Sequence, residues 1–474
     1  AATGGTLHGP PKPVTGASID TRSLQPGDLF FAIRGEARDG HDFVRDALAR
    51  GAGAAVVAQE RAAEFAGAGA ILAVTGSGDD PVLDAMRQLG QAARARTAAA
   101  IVAVTGSVGK TGTKEALRHV LSAQGPTHAS LASYNNHWGV PLTLARMPAQ
   151  SRFGIFEIGM NHGGEIVPLT RMVRPDIALI TTVEPVHIEH FRSLSAIADA
   201  KGEIFAGLKP GGVAILNRDN PNYARLHAHA LASNAGRVIS FGEHPEADVR
   251  AVRIVLRPDL SVVDATVMGI PVTYQLGTSG RHVAMNSLGV MAVVHALGAD
   301  LARAALSLAG LKPPVGRGER TVLKMEEGEA FLVDESYNAN PASVRAALAT
   351  LAAIEIGPRG RRIAVLGDML ELGEAAQAHH RDLAEAVEAS GVDLVFTAGP
   401  LMRHLFEALP MSRRGTAANT SAELVDPLLG ALRVGDAVMV KGSNSIRMGR
   451  IVEALKARYA SPESQREPSK ATAS

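Results

Sequence analysis

The chain of 474 residues has no cysteine, few aromatic residues and almost no net charge. The lack of cysteine excludes disulfides and thiolate metal sites, and it agrees with a reducing compartment. Aromatic residues make up 4% of the chain and the formal net charge is +1. Neither a base-stacking platform nor a nucleic-acid partner is therefore indicated.

Long apolar runs are also missing, since none reaches the ~18 residues of a membrane-spanning helix. The nearest candidate, residues 284–299, contains Asn286, Ser287 and His295. The first residues lack a charged segment followed by an apolar one, so no signal peptide is indicated. We expect a cytoplasmic protein with no membrane insertion, and the lack of coiled-coil heptads favours a monomer.

Apolar runs that alternate with helical stretches predict three α/β domains. We place them at residues 1–97, 98–313 and 314–460, with a disordered tail at 461–474 that is rich in Ser, Pro, Lys and Glu. The run 98–104 (AAAIVAV) is typical of a central parallel strand. Other strands are predicted at 28–33, 54–58, 154–158, 177–181, 213–216, 330–333, 362–366, 394–397 and 437–440.

A glycine-rich turn, TGSVGKTG, follows the run 98–104 and opens a helix. This is the context of a phosphate-binding loop, in which glycines let backbone N–H groups face phosphate oxygens. Lys110 would neutralise the β- and γ-phosphates, and the Thr111 hydroxyl can ligate Mg²⁺. The strict GxxxxGK[ST] pattern fails because Val104 takes its first Gly position, and an ordinary βα turn is the alternative. The residues predicted to bind ATP here are Gly106, Ser107, Val108, Gly109, Lys110, Thr111 and Gly112.

Other polar residues follow predicted strands of the second domain. Glu157 ends one strand and faces the crevice where ligands of such sheets bind, so it is either a Mg²⁺ ligand or a solvated strand-end Glu. His187 and His190 lie three apart, a spacing that alone is weak evidence for zinc. Lys201, from its local sequence alone, is most simply a solvated helix lysine.

Several longer stretches resemble the Mur ligases, the ATP-dependent amide-bond enzymes of peptidoglycan precursor synthesis. The likeness extends from about residue 1 to about residue 459. It is carried by SIDTRS (18–23), PGDLF (26–30), DGH (39–41), TGSVGKTGTKE (105–115), YNNHWGVP (134–141), EIGMNH (157–162), DESYNANP (334–341) and LGDMLELGE (366–374). The stretches at 134–141, 157–162, 334–341 and 366–374 are most similar to the branch of the family that adds D-alanyl-D-alanine.

The resemblance implies a fold and an activity. It implies a small N-terminal α/β uridine-nucleotide domain, a central ATPase-like domain with a mostly parallel sheet, and a C-terminal Rossmann-like α/β domain. The implied reaction joins D-alanyl-D-alanine to the terminal carboxylate of UDP-N-acetylmuramoyl-tripeptide through an acyl phosphate. ATP and two Mg²⁺ ions are the implied cofactors, and CO₂ is expected to carbamylate Lys201.

The resemblance also implies roles for single residues. The expected catalytic residues are Lys110, Asn136, Glu157, His187 and Lys201, and the expected metal ligands are Thr111, Glu157, His187 and carbamylated Lys201. Further nucleotide contacts are expected from Asn286, Arg317, Asp334 and Asn338, with Asp334 and Glu335 both open as the ribose contact. The expected substrate contacts are Thr21, Arg22, Ser23, Arg34, Asp39, His41, Asn135 and Asn136. A hinge is expected near Pro313–Arg317, so that the third domain can close.

There are four alternatives to this function. The stretches at 134–141 and 366–374 decide against the two related ligases, and the retained set Glu157, His187 and Lys201 argues against a switch and an inactive paralogue. A diaminopimelate- or lysine-adding ligase would share the N-terminal domain, and a folate polyglutamate ligase would share only the ATP core. A nucleotide-dependent switch would hydrolyse ATP or GTP without an amine acceptor. An inactive structural paralogue would have the fold alone.

Overall fold

The chain folds into three consecutive α/β units, each built on its own sheet. The computed structural model describes residues 2–35, 38–76, 78, 80–131, 133–185, 189, 191, 193–257 and 259–459. The predicted tail at 461–474 lies outside the described residues. The predicted class, three α/β domains with mostly parallel sheets, is confirmed.

The first unit is a small, mostly parallel sheet with the strand order β1-β5-β4-β3-β2. Only β1 runs antiparallel to its neighbour. Apolar side chains of β3 and β4, such as Phe31 and Val56, are buried together with Met86 of α2. The elements are β1 (Thr6–His8), β2 (Gly16–Ser18), β3 (Asp28–Phe31), α1 (Val44–Ala49), β4 (Ala54–Ala58), β5 (Ile71–Val74) and α2 (Pro81–Ala95).

Helix α2 also attaches the first unit to the second. A Cβ atom on Gly90 would lie 2.9 Å from the Pro141 carbonyl oxygen, so glycine is needed where α2 crosses the following unit. The buried Arg94 side chain donates to the Val173 carbonyl at 2.7 Å and to the Arg174 carbonyl at 2.9 Å. The two units are therefore held by packing and hydrogen bonds as well as by the chain itself.

The second unit contains a nine-stranded sheet within the described residues, ordered β14-β13-β12-β11-β10-β9-β6-β8-β7. The strands from β7 to β12 are parallel, and β13 and β14 add an antiparallel edge. Its strands are β6 (Ala100–Thr105), β7 (Thr127–Ala129), β8 (Phe153–Glu157), β9 (Ile177–Ile180), β10 (Gly212–Asn217), β11 (Ala235–Gly242), β12 (Val249–Leu256), β13 (Ser261–Val267) and β14 (Ile270–Leu276). Its helices are α3 (Lys110–Ser122), α4 (Gly139–Ala145), α5 (Ile166–Val173), α6 (Leu194–Gly202), α7 (Tyr223–Leu231), α8 (Arg281–Ala296) and α9 (Leu301–Leu308).

Two apolar layers cover the two faces of this sheet. One includes Val102 and Val104 of β6 with α3 and α8, and the other includes Ile101 and Ala103 with α4, α5 and α6. Because β6 is buried on both faces, its sequence is continuously apolar, as the sequence analysis expected. The strands β6, β8 and β9 are neighbours, so the residues that follow their carboxyl ends meet at one edge.

The third unit is a six-stranded sheet within the described residues, ordered β15-β16-β20-β17-β18-β19, with only β15 antiparallel. Its core combines Val333 and Met439 of the sheet with Leu348 of α10. No helix in the described part of the chain is both long and apolar enough to cross a bilayer. The elements are β15 (Glu319–Met325), β16 (Gly328–Glu335), α10 (Pro341–Ala352), β17 (Arg362–Gly367), α11 (Ala376–Arg381), α12 (Leu383–Ala389), β18 (Leu394–Ala398), α13 (Met402–Ala408), β19 (Arg414–Ala418), α14 (Val425–Ala431), β20 (Ala437–Lys441) and α15 (Gly449–Arg458).

Candidate active site

A cavity of about 810 Å³ lies between the second and third units. The second unit supplies the turn after β6, the carboxyl end of β8 and the start of α8. The third unit supplies the start of α10 and the loops that follow β16, β17 and β20, and the linker Lys312–Pro314 lines the cavity between them. Ligands of open α/β sheets bind at such carboxyl ends, so the cavity is the candidate site.

The turn after β6 needs glycine at two positions. Gly106 has φ 145°, and a Cβ there would lie 1.9 Å from Thr181 Oγ1. Gly109 has φ 89°, and a Cβ there would lie 2.4 Å from Asn286 Nδ2. Asn286, on α8, is thus brought directly against the turn, as the ATP-binding prediction requires.

Side chains around the turn hold its backbone in place. The Ser107 hydroxyl donates to the Glu184 carbonyl at 3.0 Å and accepts the Glu184 N–H at 2.9 Å. The Thr181 hydroxyl donates to the Val108 carbonyl at 2.6 Å. The segment after β9 therefore fixes the shape of the turn, which begins α3 at Lys110.

Lys110 folds back over the turn. Its Nζ donates to the Gly106 carbonyl at 2.7 Å and to the Ser107 carbonyl at 3.4 Å. Burial lowers the pKa of Lys110, the Glu157 carboxylate opposes that shift, and Arg317 adds to it. The ammonium thus lies in a poorly solvated place where an anionic phosphate would stabilise its charge.

Glu157, at the end of β8, is 1% exposed and hydrogen-bonded through both carboxylate oxygens. The Thr111 hydroxyl donates to one oxygen at 3.0 Å, and the Asn135 amide donates to the other at 2.7 Å. The Ser133 hydroxyl lies 3.2 Å from the Thr111 hydroxyl. A buried carboxylate beside a hydroxyl is a set of hard oxygen donors that fits Mg²⁺.

Lys201, near the end of α6, is not the solvated lysine that its local sequence suggests. It is 1% exposed, so its amine is removed from bulk water. Burial lowers the pKa of Lys201 well below its ordinary value, the Lys110 ammonium adds to the shift, and Glu203 opposes it. Such a lysine can carry a neutral amine, which is the nucleophilic form.

The third unit contributes a second group of charges to the cavity. The Arg317 guanidinium lies 4.2 Å from the centre of the Tyr337 ring. The Lys441 ammonium donates to the Asn338 carbonyl at 2.9 Å and to the Glu335 carboxylate at 3.3 Å. These groups face the phosphate loop across the cavity.

Family models match the chain in three successive parts. "Mur ligase family, catalytic domain" matches residues 13–103, "Mur ligase middle domain" residues 104–294, and "Mur ligase, glutamate ligase domain" residues 316–444. The chain is 33% identical to the UDP-N-acetylmuramoyl-tripeptide–D-alanyl-D-alanine ligase of Escherichia coli (strain K12) over 454 residues, 95% of this chain and 96% of that protein. It is 36% identical to the ligase of the same name from Synechocystis sp. over 439 residues, 92% of this chain and 90% of that protein.

The chain belongs to the Mur ligase family.

Solved structures agree with this assignment. MurF from Acinetobacter baumannii is 29% identical and superimposes with a TM-score of 0.82, covering 96% of this chain and 97% of that one. MurF from Thermotoga maritima, solved in complex with ADP, shares the fold with a TM-score of 0.74 at 23% identity, covering 94% and 98%.

In this Mur ligase the two acids predicted as ribose contacts, Asp334 and Glu335, lie on opposite faces of β16. The Asp334 carboxylate accepts from the Ser336 N–H and hydroxyl at 3.0 and 2.6 Å and does not line the cavity. Glu335, the next residue, points into the cavity beside Asn338. Of the two acids that the sequence left open, the geometry therefore favours Glu335 as the one near a bound nucleotide.

The neighbouring residues Asn135 and Asn136 also differ in their contacts. Asn135 lines the cavity and holds Glu157. Asn136, which the sequence analysis made catalytic, is not among the cavity residues, and its side chain accepts the Gly139 N–H at 2.9 Å where α4 begins. His187, the other expected ligand of this region, lies outside the described residues, as does His190.

The predicted uridine residues of this Mur ligase lie in the first unit, away from the cavity. The Arg22 side chain is 88% exposed and pairs with Asp20 at 2.6 Å, and of its neighbours Ser23 is exposed and Thr21 is partly buried. Hydrogen bonding to Arg22 holds the pKa of Asp20 below its ordinary value. Exposed pairs of this kind cost little to separate, so Arg22 is available to a ligand.

His41, by contrast, has a structural role in the first unit. It is 1% exposed, its Nδ1 lies 2.6 Å from the Asp39 carboxylate, and its Nε2 accepts the Ala58 N–H at 3.0 Å. This network assigns the proton to Nδ1 and uses both ring nitrogens. Arg34 lies nearby, with its guanidinium 3.8 Å from Asp39 and 3.6 Å from Glu60.

Several cavity residues were not predicted from the sequence. Lys441 is 3% exposed and carries a pKa lowered by burial, although it simply ends an apolar strand in the sequence. A lysine placed directly after the run AVMV was the available signal, because such positions face the ligand edge of the sheet. Ser133 and Tyr337 gave no signal beyond their place in the family-like stretches.

Proposed function

We propose that this chain joins D-alanyl-D-alanine to the terminal carboxylate of UDP-N-acetylmuramoyl-tripeptide and hydrolyses ATP to ADP and phosphate as it does so. One observation carries the proposal: a phosphate loop with Lys110 faces Arg317 and Lys441 of another domain across one cavity. The names and near-complete overlap of the relatives described above support the choice of substrates.

The proposed chemistry has two steps. A tripeptide carboxylate oxygen attacks the γ-phosphorus of ATP, the bond to the β-bridging oxygen breaks, and an acyl phosphate and ADP form. The amine of D-alanyl-D-alanine then attacks the acyl carbon, loses a proton, and expels phosphate as the amide forms. Phosphorylation is needed because an unactivated carboxylate is a poor electrophile.

Charge is the main obstacle to the first step, since the carboxylate and the triphosphate are both anions. Lys110 and Arg317 bring positive charge to the cavity, where low solvation strengthens its effect. Thr111 and Glu157 would hold Mg²⁺, which neutralises phosphate charge when it is bound. Asn286 and Asn338 would contact the nucleotide, with Glu335 near its ribose.

The buried amine of Lys201 supports carbamylation. Its neutral form would attack CO₂, and loss of one proton would leave a carbamate, which is an anionic oxygen donor. With His187, this group would hold a second Mg²⁺. An unmodified ammonium in the same buried place would repel both Mg²⁺ and Lys110.

The uridine end of the substrate would bind in the first unit, at the segment Thr21–Ser23. We infer a monomer that acts on small molecules in the cytoplasm. Because the linker at Pro313–Arg317 lines the cavity, rotation there would close the third domain on the nucleotide.

ADP release over a panel of acceptors tests the proposal. With UDP-N-acetylmuramoyl-tripeptide present, release should depend on D-alanyl-D-alanine and should be weak with D-alanine or L-alanyl-L-alanine. UDP-N-acetylmuramoyl-dipeptide with diaminopimelate or lysine, and folate with glutamate, serve as controls for the related ligases. Release without any amine would indicate a nucleotide switch, and release only with a control pair would replace the proposed substrates.

A further inference from the structure

A buried lysine outside the cavity, Lys114, is tied to the residues that hold Glu157. Lys114 lies one turn after the phosphate loop on α3 and is 0% exposed. Its ammonium donates to the Ser130 carbonyl at 2.8 Å and lies 2.8 Å from the Glu115 carboxylate. Glu115 in turn accepts from Arg118 on the surface of the same helix.

Ser130 lies in the connection between β7 and α4, of which residues 130, 131 and 133–138 are described. It follows β7, and the connection continues to Ser133 and Asn135, which contact Thr111 and Glu157. The Asn135 carbonyl also accepts the Gly159 N–H at 2.8 Å, just beyond β8. We call Ser130 together with Ser133–Asn135 the bridging segment.

Burying an ammonium away from water costs free energy unless hydrogen bonds and an opposite charge compensate for the lost hydration. Lys114 does not line the cavity, so direct contact with phosphate does not explain its burial. What its charge does reach is the start of the bridging segment, through the Ser130 carbonyl. The far end of that segment sets the hydroxyl and the carboxylate that fit Mg²⁺.

We propose that Lys114 is a positioning residue that anchors the bridging segment and thereby orients Thr111 and Glu157 for Mg²⁺. This inference rests on the proposed Mg²⁺ site. Partners that orient metal ligands contribute strongly to affinity, because ligands that are not held must be ordered when the metal binds. Lys114 acts on Thr111 and Glu157 through the bridging segment, and it is not among the residues that line the cavity.

Nucleotide binding with and without Mg²⁺ tests this role by calorimetry and does not depend on turnover. In Lys114→Met the Mg²⁺ concentration for half-maximal binding of ADP should rise about tenfold, which is the lower end of the loss typical of such partners. Affinity for ADP without Mg²⁺ should not change. Trp138 is the only tryptophan of the chain and its ring lies 5.5 Å from Tyr134 of the segment, so its emission should shift as well.

Two further variants separate positioning from general stability. Lys209→Met is the matched control, because Lys209 pairs with Asp176 at 2.8 Å and lies outside the cavity lining. It should leave Mg²⁺ dependence and Trp138 emission as in the unmodified chain. Lys114→Arg, which keeps the charge and donors, should restore part of the Mg²⁺ affinity. If Lys114→Met does not fold, Lys114→Gln replaces it with the same measurements.

A double-mutant cycle with Asn135→Ala gives the sharpest outcome. If Lys114 acts through the segment, the two losses in Mg²⁺ affinity should be strongly less than additive. Additive losses, or an unchanged Mg²⁺ requirement in Lys114→Met, would overturn the inference and leave the proposed function intact. If ADP binding to the unmodified chain shows no Mg²⁺ dependence at all, the Mg²⁺ site itself is wrong and the inference falls with it.

Discussion

The cavity and the first unit use polar side chains in opposite ways. In the cavity Thr111 and Glu157 are no more than 6% exposed and are hydrogen-bonded to each other, and Lys201, which is not among the lining residues, is 1% exposed. Around residue 22 the predicted contacts lie at the surface, and Arg22 pairs with Asp20, two residues before it. Burying polar groups costs free energy, so a site retains them where charge must be stabilised during a reaction. Exposed groups suffice to bind one end of a large substrate.

The strongest test of this contrast removes charge from the cavity. Lys110→Ala should lower ADP formation by about 10²–10³-fold or more, because one preorganised donor to a transferring phosphoryl group is worth that much. Steady-state ADP release measures it, with circular dichroism as the control for folding. Turnover like that of the unmodified chain would remove Lys110 from the phosphate site.

Lys201→Ala should have the next largest effect, a loss of about 10²-fold in ADP formation, because the proposed carbamate, which would supply a buried negative charge, could not form. Short carboxylic acids such as formate or acetate should restore part of the activity by occupying the vacated space. Lys209→Ala is the control. Its ADP release should not fall, and added formate or acetate should not alter it. Full activity in Lys201→Ala would return this lysine to a structural role.

In the first unit, His41→Ala should mainly affect stability. It leaves the Ala58 N–H unpaired and removes a partner of Asp39, which should cost about 1–3 kcal/mol in the free energy of unfolding. Urea unfolding measures the change, with the exposed His8→Ala as control. A large rise in KM for the uridine substrate with an unchanged unfolding curve would instead show direct contact.

Arg22→Ala should have the smallest effect on the protein itself. KM for the uridine substrate should rise several-fold while KM for ATP stays nearly constant, and equal changes in both would argue against an N-terminal uridine site. The lowered pKa of Asp20 predicts a weak pH effect. The pair stabilises the fold above the ordinary pKa of 3.8 and loses that contribution as the pH falls through the lower folded value, so the variant should differ from the parent least in acid.

The sequence predicted the fold where local chemistry dominates. Continuous apolar runs located β6, β9 and β20 to within about two residues, and the phosphate loop was found from its glycines. The antiparallel strands β13 and β14 had not been predicted, since polar residues interrupt their apolar residues and their pairing depends on the edge strand β12.

Single positions in the site were harder to predict. Adjacent residues on a strand face opposite sides, so Asp334 and Glu335 could be told apart only once β16 was placed in its sheet. Asn135 and Asn136 lie in a loop, and their roles depend on its path: Asn135 donates to Glu157, and Asn136 accepts the Gly139 N–H where α4 begins. Burial of Lys114, Lys201 and Lys441 arises from segments far apart in the chain, and no local pattern predicts it.

The exposed linker has a practical consequence. Val315 is 80% exposed, and the units on either side of it each have their own sheet and core. A cut at this point would leave two fragments that hold complementary halves of one cavity. Such fragments, fused to two proteins of interest, would form a split enzyme whose ADP release reports that those proteins have met.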